Sequence, residues 1–134
     1  MTTSPAALAR QLHAALEAGA DGDRLRDLFA EDATTVERPN LLKPAGATAD
    51  LATMLAASTA GAELLREQRY DLHDVIEQGD TAALRLTWTG VVARDTGPFA
   101  AGQQLTAHIA QFVTARAGKI ASIETYDCYE PFGS

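Results

Sequence analysis

Near the end of the chain, in the stretch IETYDCYEPF, Thr125, Asp127 and Tyr129 stand at alternate positions. In an extended strand that spacing puts all three on one face. A carboxylate between two hydroxyls can take up a proton if its surroundings are dry enough to raise its pKa. Asp127 is therefore the candidate base, with Thr125 and Tyr129 as candidate ligand-binding hydroxyls. Glu37, in VERPN, stands at a strand end before a proline turn, where an acid can reach a pocket mouth or stay solvated. Arg38 beside it could pair with it or with a ligand. Gln111 is the polar exception on an apolar strand face, and its amide could polarise a carbonyl oxygen. These three, Asp127, Glu37 and Gln111, are the catalytic candidates. Trp88 reads as a pocket wall whose indole N–H needs a partner, and Tyr70 and Asp74 complete the ligand-binding candidates.

The remaining reactive side chains fit other roles. The three histidines are far apart and make no metal-ligand spacing, so no metal is expected. Cys128 has no triad partner in a recognisable motif and reads as a buried or interface thiol. Gly97 and Gly102 flank a loop without the strand–glycine–helix order of a phosphate cradle.

Helices come first among the elements that must position these groups. Ser4 can cap a helix that Pro5 begins, with Leu8, Leu12, Ala15 and Leu16 at helical spacing and Gly19 closing it. A short helix from Asp21 or Asp23 puts Leu25, Leu28 and Phe29 on one face. ATTVERPN reads as a short strand, and DLATMLAAST as a helix that Gly61 stops. Long strands follow over about 67–77, 81–93, 103–116 and 119–129. Helices followed by antiparallel strands spell α+β: a cone-like roll of a strongly curved, mainly antiparallel sheet packed on N-terminal helices, as one domain over residues 1–134.

Hairpin register decides which groups meet. Alanine at the first turn position of ARAGK argues against a tight I′ turn and for a type I turn with Gly118 as a G1 bulge; Gly79 in IEQGD reads the same way. Ala115 then pairs with Lys119, Ala107 with Asp127 and Gln111 with Ile123. In the other hairpin Leu72 pairs with Leu84 and Tyr70 with Leu86. This places Tyr70, Leu72, Asp74, Ile76, Leu84, Leu86, Trp88, Gln111, Thr125, Asp127 and Tyr129 inward. His73, His108, Glu124 and Tyr126 face out. Two-residue turns would instead set His108 opposite Asp127 and swing His73 inward, a constellation suited to acid–base work. Asp127 and Trp88 face inward under both.

The chain is 46% hydrophobic and 22% charged, ordinary globular usage, with a net charge of -7. Its basic residues are scattered singly, so nucleic acid and anionic membrane are poor partners. A lone cysteine favours a reducing compartment, and a cytoplasmic protein is expected. The opening MTTSPAALARQLHAALEAGA is alanine-rich, but Arg10, Gln11, His13 and Glu17 interrupt it, and it reads as a helix rather than a secretion signal.

Three stretches, LRDLFAEDATTVERPN, VIEQGDTAALRLTWTG and GKIASIETYDCYEPF, resemble the nuclear transport factor 2-like superfamily in its SnoaL-like and ketosteroid-isomerase-like branch. The resemblance covers nearly the whole chain. It implies a conical pocket for a small apolar, polyketide- or steroid-like molecule, no cofactor, and a homodimer through the outer sheet face. The fold hosts isomerases, cyclases, dehydratases, epoxide hydrolases and non-catalytic binders. Where ketosteroid isomerase has its basic Asp before a proline, this chain has Arg38, with Glu37 beside it. That enzyme's helix-1 tyrosine falls near Leu12, beside His13, and its protonated Asp near Gln111 or Ala110. The Asp-Arg-Asp set of limonene-type epoxide hydrolases is absent. A cofactor-free acid–base enzyme is expected, against a binding domain that uses the same pocket or a scaffold whose cone is filled.

Overall fold

The computed structural model describes residues 3–132. Ser4 caps α1 (Pro5–Glu17) as its residue type suggests, its hydroxyl accepting the Ala7 N–H at 3.1 Å. Glu77 accepts the Ala6 N–H at 2.9 Å, satisfying a second free donor and tying the helix to the sheet. The next segment is a 3-10 helix, Gly22–Leu28, rather than an α-helix. Its ion pairs, Arg24–Asp21 and Arg26–Asp23, both span three residues, the repeat of that tighter helix. Phe29, expected on the helix, instead opens β1 (Phe29–Glu37).

A short strand that patterning missed, β2 (Ala47–Asp50), pairs antiparallel with Thr34–Glu37. Gly46 lets the chain turn back there. It has φ 69°, and a Cβ would lie 2.6 Å from the Glu37 carbonyl oxygen. Asp50 caps α2 (Leu51–Leu64), accepting the Thr53 N–H at 2.8 Å. Gly61 does not stop this helix, which runs on to Leu64. A glycine inside a helix costs about 1 kcal/mol relative to alanine, which weakens it without ending it.

Four long strands follow: β3 (Leu65–Gln78), β4 (Thr81–Val92), β5 (Gln104–Arg116) and β6 (Lys119–Tyr129). The six strands form one sheet in the order β2-β1-β6-β5-β4-β3, with β1 parallel to β6 and every other pair antiparallel. The helices lie on one face: α1 contacts β3 to β6, and α2 contacts the 3-10 helix and β1. This is the expected α+β roll. No helix among the described residues is long and apolar enough to cross a membrane.

Both hairpins correct the expected register. Ala117 and Gly118 form a two-residue turn with φ 53° and 76°, and Arg116 pairs with Lys119. Alanine in the left-handed region costs roughly 1–2 kcal/mol, a small term beside two long strands of paired backbone. The extra residue lies further in: Thr114 pairs with Ser122 and Ala115 with Ile120, leaving Ala121 as the bulge. Gln111 therefore faces Thr125 and Ile109 faces Asp127, neither of the expected pairings. Two shifts of one residue preserve the expected faces.

In the other hairpin Gly79, at φ 59°, opens a two-residue turn, and Gln78 pairs with Thr81. The bulge is His73, between the pairs Leu72–Leu86 and Asp74–Arg85. Tyr70 and Leu72 face inward as expected. Beyond the bulge the faces reverse, so Val75 turns to the core while Ile76 is 71% exposed. Asp74 is likewise turned out, paired with Arg85. A bulge inverts every side chain after it.

The core lies between the helices and the inner face, with Leu8, Ala9, Leu12, Leu25, Leu86, Val113 and Ile120 among its buried members. A smaller cluster of Val92, Phe99 and Leu105, with Phe132 packed on it, closes one end.

Candidate functional site

Strand register arranges the inner face in rows. Tyr70, Trp88, Ala107 and Tyr129 form the first, and Leu72, Leu86, Ile109 and Asp127 the second. Val75, Leu84, Gln111, Thr125 and Glu37 form the third. Tyr70, Trp88, Gln111, Thr125, Asp127, Tyr129 and Glu37 are half-buried rather than sealed. The polar groups of several strands thus share the inner face of the sheet, beneath α1.

Thr125 donates its hydroxyl to Asp127 Oδ1, as two residues on one strand face can. Burial raises the Asp127 pKa, the Thr125 hydrogen bond opposes the rise, and the nearby charge of Glu37 adds to it. Burial also raises the phenol pKa of Tyr70 and Tyr129, and the Asp127 charge raises both further. Both phenols remain neutral hydrogen-bond donors. Trp88 donates to Gln68 Oε1 at 2.9 Å and meets the Tyr129 ring edge-on at 6.2 Å. Glu37 sits where β1 leaves the sheet, accepting from Asn40 at 2.8 Å and lying 3.5 Å from the Lys43 ammonium.

His13 was not among the candidates, yet it is inside. It is 5% exposed, stacks on Tyr70 with ring centroids 4.5 Å apart and 5° between planes, and lies 2.9 Å from Gln111 Oε1 through Nε2. Burial lowers its pKa, against the opposing pull of Gln111 and Glu17. The sequence carried a signal: His13 falls four residues after Ala9 and three before Leu16, on the apolar stripe of α1.

Other candidates lie elsewhere. Arg38 reaches out to Glu124 and over the Tyr126 ring, away from Glu37. Asp74 is on the outer face with Arg85. His73 pairs with Thr87 at 2.8 Å and His108 with Glu130 at 2.8 Å, so neither imidazole bonds Asp127. Cys128 is exposed on that outer face, where a buried thiol was one expectation.

The inner face can therefore offer a half-buried carboxyl, neutral phenol and amide donors, and aromatic rings. Such a set can take a proton from carbon or oxygen and hydrogen-bond the oxygen on which charge develops.

An open sheet wrapped on N-terminal helices, with polar groups gathered on its inner face, defines the nuclear transport factor 2-like, ketosteroid-isomerase-like fold. Solved structures agree. IdmH of Streptomyces antibioticus, a proposed polyketide cyclase, superposes with a TM-score of 0.76 at 20% identity, over 93% of this chain and 92% of that one. AclR of Streptomyces galilaeus, a proposed hydroxylase, gives 0.74 at 16% identity, over 92% and 74%. A ketosteroid-isomerase-like protein of Catenulispora acidiphila, solved with trimethylamine, gives 0.70 at 19% identity, over 92% and 86%. No curated protein matches the sequence. The model of the SnoaL-like domain matches residues 9–123, and the chain belongs to that family.

Proposed function

We propose that the chain is a cofactor-free SnoaL-like enzyme in which Asp127 is the base. Its substrate is a mostly apolar, carbonyl- or hydroxyl-bearing molecule of polyketide- or steroid-like size. The reading is supported by one arrangement: a half-buried carboxyl, its pKa raised by burial, shares the inner sheet face with aromatic rings and neutral donors. Gln111 and the phenols hydrogen-bond the substrate oxygen, Trp88 packs against its ring system, and Glu37 guards the mouth. The likeness to a proposed polyketide cyclase is consistent with that substrate class.

Trp88 is the only tryptophan, so its fluorescence reports on the inner sheet face. Titration with aromatic methyl ketones should quench it saturably. In heavy water the protein should then exchange the α-protons of those ketones faster than buffer does. Quenching without exchange would favour a non-catalytic binding domain.

The outer sheet face supports assembly as a homodimer, in the reducing cytoplasm that a lone cysteine suggests. Phe112 and Tyr126 are 39% and 41% exposed there. A depression of about 380 Å³ is lined by His73, Thr87, His108, Tyr126 and Cys128. The face also carries both charge signs, in Arg38–Glu124 and Arg85–Asp74. A two-fold contact needs such self-complementarity. Light scattering at micromolar concentration should give twice the chain mass; a monomer would refute it.

A further inference from the structure

We infer that His13 is a positioning residue: its Nε2–H holds the Gln111 amide oxygen, and so presents the Gln111 NH₂ group on the inner sheet face as a donor for a ligand oxygen beside Asp127. This rests on the acid–base reading for its purpose, but not for its geometry.

The contact runs from His13 Nε2 to Gln111 Oε1 at 2.9 Å. An amide oxygen can only accept, so Nε2 carries the hydrogen. That is true of the neutral Nε2–H tautomer and of the imidazolium alike. The imidazole is itself held, stacked on Tyr70 within 5° of parallel and buried under the α1 backbone. With its oxygen committed, the amide has two N–H donors left. Gln111 shares a row with Thr125, whose hydroxyl is already given to Asp127. Among the described residues no partner is seen for those N–H groups, so the Gln111 amide is a free donor of that corner, beside the Tyr70 and Tyr129 hydroxyls. The charged or titratable groups facing His13 are Glu17 from its own helix and Tyr70 from β3, with Asp127 beyond Tyr70 on β6. None of them competes for Gln111 Oε1, since two are acceptors and the phenol packs through its ring.

The test uses the free protein and no substrate. Long-range nitrogen–proton spectra of wild type at slightly alkaline pH should show Nε2 protonated and Nδ1 bare. Gln111 amide protons should give Overhauser contacts to the Thr125 and Asp127 side chains, and keep them when His13 is protonated at low pH. In His13→Phe, which preserves the stack on Tyr70, those contacts should be lost while the sheet resonances stay. A proton on Nδ1 with Nε2 bare, an amide that flips on acidification, or unchanged contacts in His13→Phe would each overturn the assignment. The wild-type tautomer decides the matter even if the variant does not fold. Because no turnover is read, failure here leaves the role of Asp127 standing, and failure of that role leaves this geometry intact.

Discussion

Asp127→Asn should slow α-proton exchange by about 10²-fold or more, because it keeps the shape of the side chain and removes the proposed base. Asn can still accept the Thr125 hydroxyl, so the strand has no reason to move. Stability should change in a defined direction. The folded-state pKa of Asp127 is raised, so the native protein holds that proton to higher pH than the unfolded chain does. Native stability then falls as pH rises from the unfolded value through the folded one, and the full penalty of the buried charge is present above both. The Asn variant lacks this penalty. It should match or exceed the parent in urea denaturation at neutral pH and lose that advantage below the ordinary carboxylate range. Parental exchange rates in a variant with native melting behaviour would remove Asp127 from the chemistry.

Leu86→Ala should be the costliest of the simple substitutions, at about 2–5 kcal/mol. Leu86 is 1% exposed and stands in the middle of the row that ends at Asp127, between Leu72 and Ile109. Its neighbours on both sides are held by strand pairing and α1 lies above, so the walls cannot collapse into the space left. A lower urea midpoint at unchanged slope would show the loss as pure destabilisation. A cost under 1 kcal/mol would mean that the inner face is more pliable than its packing indicates.

How much of this could be read beforehand differs from strand to strand. The faces of β5 and β6 were legible because alternation of Leu105, Ala107, Ile109 and Val113 against polar neighbours marks parity directly. The partners were not, because the bulge at Ala121 belongs to the bending of the sheet and has no residue signature. In β3 the same ignorance was harmful. The bulge at His73 reversed everything toward the turn, so Asp74 and Ile76 were placed inside and are outside. Glu37 was legible as an acid at a strand end, but its partners Asn40 and Lys43 depend on β2, too short a strand for periodicity to reveal. His13 was the reverse case. Its position on the stripe was visible, and only the contact with β5, nearly a hundred residues away, gives it meaning.

The parallel pairing of β1 with β6 sets an order of events in biosynthesis. β6 stands between β1 and β5, so the first two strands have no neighbour in the meander of β3, β4 and β5 until β6 itself is available. The antiparallel meander can close by local hairpins as it leaves the ribosome. β1 must wait with an unpaired edge exposed, although α1 can already dock on β3, β4 and β5. The strand that carries Glu37 thus joins the rest of the sheet, and that acid comes near Asp127, only once β6 has been made. Premature termination within β6 would leave two fragments of sheet with open edges, a form suited to aggregation and to capture by chaperones.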